Sequence, residues 1–243
     1  MPEVRRGVAL LAMRIHLTPY GLPQVAIWPA VIVAAMAAFS AATARSLQAW
    51  IVVGVDALLA ALLVWALAFF RDPERTCPSQ ADVLLAPADG EVTDITEVDD
   101  NAFIGGKALR IGIFLSVFNV HINRSPCRAR VEKIEYRPGR YKNAMNPDSG
   151  RVNESNNLYL ARLDRPCDRL VVRQVSGAIA RRIVCRAKAG QVLSGGERFG
   201  MIKFGSRTEL YLPSRPGVKC LVVVGQPVAA GLTCLVRYEP CPD

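Results

Sequence analysis

The chain has 243 residues, 51% of them hydrophobic and 21% charged, with a formal net charge of +9. That length suits one sizeable domain plus an appendage, and the apolar excess points to membrane association. The positive charge would also suit nucleic acid, but no basic helix or aromatic stacking platform accompanies it, and nucleic acid is excluded as a partner.

Residues 1–25 read as an N-terminal interfacial segment carrying Arg5, Arg6, Arg14 and, in "MRIHLTPYG", His16. Residues 26–70 follow with Arg45 and Asp56 as their only ionisable side chains. Within them the stretches 26–44 and 49–70 would span about 28 and 33 Å as helices, enough to cross a hydrocarbon core of about 30 Å. The link between them, Arg45, Ser46, Leu47 and Gln48, is so short that it predicts an antiparallel transmembrane hairpin with both chain ends on one side. Three arginines before the first span against one at the tip predict cytoplasmic ends, and hence an inner-membrane protein whose main domain faces the cytoplasm. A buried hairpin in a soluble core is the competing reading. Asp56 is expected to face the partner helix or the interface, with no partner charge in sight.

Charge and two prolines in "FFRDPERTCPSQ" end the second helix, so a linker is expected over residues 71–80 and a separate domain over 81–243. Residues 1–70 hold four of the 30 Lys+Arg and two of the 21 Asp+Glu, leaving 26 against 19, or +7, for the remainder. A basic domain tethered at a bilayer suits an anionic lipid surface. Seven cysteines without a CxxC pair read as reduced thiols, with neither a disulfide framework nor a metal site.

From residue 81 the hydrophobic pattern shortens to runs such as "ALRIGIFLSVFNVHI", "NLYLARL", "RLVVRQVSG" and "TELYLP", separated by Gly, Pro, Asn and Asp. This predicts a β-dominated domain, all-β or α+β. The segment 176–187 fits either a short helix or a strand. "GQVLSGGERFGMI" and "VVGQPVAAGLTCLV" each hold two turns flanked by strands, hairpin-like units with the character of a barrel-sandwich, lipoyl-like fold.

His121 is the only histidine of this domain. A nucleophilic serine needs a base and usually an acid to orient it, and Ser206, His121 and Asp89 are the candidates. Each has a plain structural alternative: a strand histidine on its own is more often structural than catalytic, Asp89-Gly90 is a turn signature, and the glycine of the Gly205-Ser206 pair fits a strand bulge. A serine hydrolase is disfavoured because "KFGSRT" lacks the G-x-S-x-G elbow.

"FFRDPER", "PADGEV", "FLSVFNVHINRSP", "YKNAMNPDSGRVNESN", "GAIARRIV" and "GMIKFGSRTELYLP" occur in this order between about residues 16 and 234. Together they resemble the phosphatidylserine decarboxylases, in particular their short membrane-anchored proenzyme branch. The resemblance implies self-cleavage between Gly205 and Ser206 into a β chain (1–205) and an α chain (206–243). Ser206 would become a pyruvoyl group, with His121 as base and Asp89 as its orienting acid. The pyruvoyl group, with no metal, would then form a Schiff base with phosphatidylserine and release CO2 and phosphatidylethanolamine, a step of phospholipid biosynthesis. Where the longer branch has a second histidine, this chain has Phe118; His121 or water would then donate the proton, and Phe118 would line the pocket or the core. Asn143, Asp148, Asn153 and Glu154 match polar positions of the family and would contact the head group, or equally serve as turn formers. Arg181 and Arg182 are candidates for the phosphate or for a solvated face. A homodimer is left open, and a non-catalytic β-barrel module that binds anionic lipid is the alternative from another function class.

Overall fold

The computed structural model describes residues 15–43, 48–78, 80–100, 103–146, 149–178, 182–203 and 205–239. Strand β1 (Ile15–Leu17) leads through a 3-10 turn to helix α1 (Gln24–Thr43), which packs against α2 (Ala49–Phe69). No side chain of α1 is buried, and in α2 only Ala66 and Phe69 are. Both helices are long and apolar enough to cross a membrane. An apolar pair left so uncovered does not form the core of a soluble domain; lipid is the medium that would cover it. Asp56 of α2 does face the partner helix, where Ser40 Oγ donates to Oδ2 at 2.5 Å. A neutral hydroxyl supplies the partner where no charge is available. The hairpin tip, residues 44–47, falls outside the described residues.

The stretch expected as a linker begins as a strand. β2 (Arg71–Pro73) pairs antiparallel with β1, with His16 opposite Asp72. This ties the helix ends to the domain: Asp72 accepts from Arg198 Nε at 2.8 Å and forms an ion pair with Arg124 at 3.4 Å. His16 itself stays at the surface beside Glu74, 3.6 Å away.

The rest is strand-rich. In chain order come β3 (Val83–Leu85), β4 (Gly90–Asp100), β5 (Gly106–Leu115), β6 (Ile122–Arg124), β7 (Ala129–Arg137), the one-turn helix α3 (Ser149–Val152), β8 (Ser155–Arg162) and β9 (Arg169–Val175). They are followed by β10 (Arg182–Cys185), β11 (Val192–Leu193), β12 (Arg198–Lys203), β13 (Ser206–Pro213), β14 (Val218–Cys220), β15 (Pro227–Val228) and β16 (Cys234–Tyr238). Eight form one antiparallel sheet in the order β11-β7-β8-β9-β13-β5-β4-β15, and two three-stranded sheets, β10-β12-β6 and β14-β16-β3, accompany it. The sheet curls into a half-barrel, in keeping with the expected barrel-sandwich character.

The ambiguous segment 176–187 contributes a strand, β10, rather than a helix. The two glycine-turn units are not self-paired hairpins. β11 pairs with β7 whereas β12 pairs with β6 and β10, and β15 pairs with β4 whereas β16 pairs with β3 and β14. Each turn therefore hands the chain from one sheet to another.

One core cluster lies under the large sheet, with Ile111, Ile113, Leu158, Leu160, Val172, Leu210 and Leu212 inside it. A second cluster joins Phe69 and Phe70 at the end of α2 to Val120, Ile122 and Met201. Apolar burial of this kind contributes roughly 25 cal/mol per Å² and makes the end of the helical pair part of the domain rather than a loose tether.

Candidate active site

β12 ends at Lys203 and β13 begins at Ser206, so the Gly-Ser pair sits where the chain passes from the small sheet to the large one. Gly205 has φ +52°, a left-handed conformation that glycine adopts without steric cost. A Cβ on Gly177, at the end of β9, would lie 1.8 Å from the Gly205 carbonyl oxygen. Only a glycine at 177 lets that backbone approach the Gly205 carbonyl.

Ser206 then enters the middle of the sheet, with Ser206 opposite Leu115 of β5 and Arg207 opposite Val175 of β9. Its hydroxyl is completely buried and has no hydrogen-bond partner. A buried polar atom left without a partner is costly, and such atoms concentrate where chemistry needs them. Two residues along the same face, Thr208 Oγ1 accepts from Asn123 Nδ2 at 3.0 Å, Asn123 Oδ1 from Gln174 at 2.9 Å, and Gln174 Oε1 from Asn156 at 3.0 Å. This satisfied amide ladder holds the strand that carries the serine. On the opposite face Arg207, fully buried, pairs with Asp94 and, at 2.8 Å, with Glu209, over which Gly150 of α3 packs.

His121 stands at the start of β6, at the end of the turn that follows Leu115, and its carbonyl accepts from Ile202 N of β12 at 3.3 Å. The backbone at His121 and at Ser206 thus belongs to one junction between β5, β6, β12 and β13, and no hydrogen bond joins the imidazole to the serine hydroxyl. Nδ1 lies 3.0 Å from the Asn119 carbonyl. A carbonyl can only accept, so Nδ1 carries the proton and Nε2 holds the free lone pair. Nε2 is buried and unpartnered. Burial drives the His121 pKa down to about 4, against the opposing pull of the Asn119 carbonyl and Asp89. The ring is therefore neutral at neutral pH, and Phe69 covers it with ring centroids 4.5 Å apart.

Asp89 does not hydrogen-bond the imidazole. Arg75 grips both its oxygens, at 2.6 and 2.8 Å, and the Ala230 N–H donates to Oδ1 at 2.7 Å. Its influence on His121 is through space, favouring the protonated form. The group that orients the ring is the Asn119 carbonyl, which no sequence pattern announces.

In the polar loop the described residues serve the loop's own structure, the second of the two roles expected of them. Asn153 is fully buried: Oδ1 accepts from Lys142 N at 2.9 Å, and Nδ2 donates to the carbonyls of Lys142 and Ser176 at 2.8 Å each. It clasps the loop to the residue before Gly177 and has no donor to spare for a ligand. Replacing it with alanine is expected to destabilise the protein by about 2 kcal/mol, through three lost hydrogen bonds at a buried site. A lowered thermal midpoint in detergent micelles checks this. Asn143 is exposed and closes a turn by accepting from Met145 N at 3.0 Å. Glu154 is buried; Oε1 accepts from Tyr136 OH at 2.9 Å and Oε2 has no partner, so of the three described it alone offers a free buried acceptor. Asp148 lies outside the described residues, as does Arg181. Arg182 is exposed at the start of β10.

Phe118 is not part of the core. It is 71% exposed at the tip of the β5–β6 turn, and its carbonyl accepts from Arg71 Nη2 at 2.6 Å, beside the end of α2. An aromatic ring at the level where a membrane helix ends suits the interface.

The family profile described as phosphatidylserine decarboxylase matches residues 62–236. That range starts within α2 and leaves out most of the helical pair, so it is narrower at the N-terminus than the run of sequence resemblances. A phosphatidylserine decarboxylase proenzyme of Rhodopirellula baltica is 46% identical over 182 residues, covering 75% of this chain and 74% of its own. A protein of the same name from Carboxydothermus hydrogenoformans is 42% identical, covering 73% of this chain and 82% of its own. Another, from Symbiobacterium thermophilum, is 44% identical, covering 75% and 83%. With the matched range running from the end of the helical pair through the Gly205-Ser206 junction to the last strand, the chain belongs to the phosphatidylserine decarboxylase family.

Proposed function

We propose that this decarboxylase is made as a proenzyme that cuts itself between Gly205 and Ser206 and converts the serine into a pyruvoyl group. It then turns phosphatidylserine into phosphatidylethanolamine and CO2 on the cytoplasmic face of the membrane. The observation that carries this reading is that His121 Nε2 and Ser206 Oγ are both fully buried and unpartnered, on strands that meet at one junction; the hydroxyl has to turn to the imidazole for the proton to pass.

The Ser206 oxygen adds to the Gly205 carbonyl carbon while its proton passes to His121 Nε2. The C–N bond then breaks and the freed amine takes up that proton, leaving an ester. His121 Nε2, free again, takes the Ser206 Cα proton as the Cβ–O bond breaks, so the ester departs as the Gly205 carboxylate. The remaining dehydroalanine tautomerises, adds water and loses ammonia. A neutral, desolvated imidazole with its lone pair on Nε2 suits the first of these steps, and the contact of Gly177 with the Gly205 carbonyl fixes the atom under attack.

The same residues fit the group so formed. Once made, a pyruvoyl ketone supplies the electron sink that decarboxylation of an amino acid requires. His121 can return a proton from Nε2 once that nitrogen has taken one up from water, since the ring rests neutral; Phe118 carries none to give. Phe69 packs against the imidazole. Asp89, locked by Arg75, acts on the imidazole electrostatically.

Intact-mass measurement of the purified protein tests the reading. Expected are two co-eluting chains of residues 1–205 and 206–243, the shorter one lighter by one ammonia than its sequence requires. They stay together because β13 remains paired with both β5 and β9 after the cut. Preparations that release CO2 from phosphatidylserine while running only as full-length chain would overturn it.

A further inference from the structure

Lys203, the last residue of β12, is only 3% exposed. Its Nζ donates at 2.8 Å to Gln24 Oε1, the side chain of the first residue of α1. No carboxylate among the described residues pairs with it. Other buried cations are better met: Arg124 has Asp72, Arg207 has Asp94 and Glu209, and Arg162 donates to the carbonyls of Pro166 and Ala81 under the Tyr238 ring. A buried ammonium facing a single neutral amide oxygen has two donors unused and its charge uncompensated. Arg182, opposite it in the β10–β12 register, adds like charge, and burial together with Arg182 pushes the lysine pKa down.

The position of this charge narrows what could neutralise it. Side chains alternate along a strand, so Lys203 shares a face with Met201, which packs with Phe69, Phe70 and Ile122. Phe69 in turn covers His121. The ammonium, the catalytic imidazole and the end of α2 therefore lie on one side of β12. Gln24 opens the first apolar span, which puts Nζ at the depth where lipid phosphates lie.

Resting on the decarboxylase reading, we infer that Lys203, helped by Arg182, binds the phosphodiester of the lipid substrate, with Gln24 holding its place until lipid arrives. This anchors the head group three residues along the chain from residue 206 and assigns the phosphate to the strand that ends at the cut.

Two readouts separate this inference from the reading beneath it. In the first, full-length Ser206→Ala protein in micelles doped with phosphatidylserine or with diacylglycerol is weighed by native mass spectrometry. It is expected to retain the phospholipid and not the diacylglycerol. Adding Lys203→Gln should lower retention about tenfold, the size of one lost charge-assisted hydrogen bond, and Lys203→Arg should restore it. In the second, Gln24→Glu places a carboxylate beside Nζ at a half-exposed site. If Lys203 only anchors α1, this variant retains lipid and KM as the parent does; if Lys203 binds phosphate, retention falls and KM for phosphatidylserine rises about tenfold while kcat stays within about threefold. Unchanged retention in both Lys203→Gln and Gln24→Glu overturns the inference, and unchanged retention in Gln24→Glu alone does so if Lys203→Gln cannot be purified. Lack of CO2 release by the wild type would instead count against the decarboxylase reading, leaving the retention result to stand by itself.

Discussion

Self-cleavage is expected to fall by about 10²- to 10⁴-fold in His121→Ala, the usual contribution of a positioned general base. The variant should accumulate as a single full-length chain, followed by gel electrophoresis over hours, and added imidazole should restore part of the rate by occupying the space beside Phe69. The pH dependence is more diagnostic. Because burial holds the His121 pKa near 4, its lone pair is available throughout the mildly acidic range. Wild-type cleavage should stay level from neutrality down to about pH 5, whereas an ordinary histidine would lose its base form below about pH 6.5. The same displacement has a stability sign. The unfolded chain takes up the proton near pH 6.5 and the folded chain only near 4, so His121 destabilises the fold progressively as pH falls through that window, by about 3 kcal/mol at its lower end. At neutral pH both states are unprotonated there and the effect vanishes. A cleavage rate that already halves near pH 6.5, or normal cleavage in His121→Ala, would remove this residue from the role of base.

Gly177→Ala should block self-cleavage nearly as completely, although residue 177 carries no chemistry. Its Cβ would have to sit 1.8 Å from the Gly205 carbonyl oxygen, so either that carbonyl or the end of β9 must move. A displacement of about 1 Å at a reacting atom costs on the order of 10²-fold in rate. Measured by the rate at which the 38-residue chain appears, the loss should leave the thermal midpoint of the uncut Ser206→Ala background nearly unchanged if relaxation is local. Wild-type cleavage in Gly177→Ala would show that the contact does not position the carbonyl.

Much of the architecture was legible from residue order. Uninterrupted apolar runs at 26–44 and 49–70 announced two helices, found at Gln24–Thr43 and Ala49–Phe69, because helix length and lipid thickness are both fixed by simple geometry. β-branched runs between Gly, Pro and Asn announced a strand-rich domain because such residues fit a pleated surface. Periodicity was silent where several sheets compete for the same short strands: the glycine-turn units look like hairpins in one dimension, yet their strands pair with distant partners.

The candidate site divides the same way. Ser206 and His121 stood out because the domain offers one histidine and one Gly-Ser pair inside a strand-forming run, and chemistry of this kind needs both residue types. Asp89 also stood out, but as an acid expected at the imidazole. Only the fold places Arg75 on that carboxylate and leaves the Asn119 carbonyl to orient the ring. Asn153 and Asn143 read equally as head-group contacts, from the family resemblance, and as turn formers, from residue type; their hydrogen bonds are those of loop clasps. Gly177, Phe69 and Lys203 carried no local signal at all. Their importance lies in distances to Gly205, His121 and Gln24, residues far away along the chain. By itself, then, the sequence determined which side chains could carry such chemistry and that two apolar runs are long enough to meet a membrane, since those follow from side-chain chemistry and apolar length. The tertiary structure alone decided which imidazole nitrogen keeps a free lone pair, what packs on the Gly205 carbonyl and which charge is left unpaired, because each depends on what excludes water from an atom.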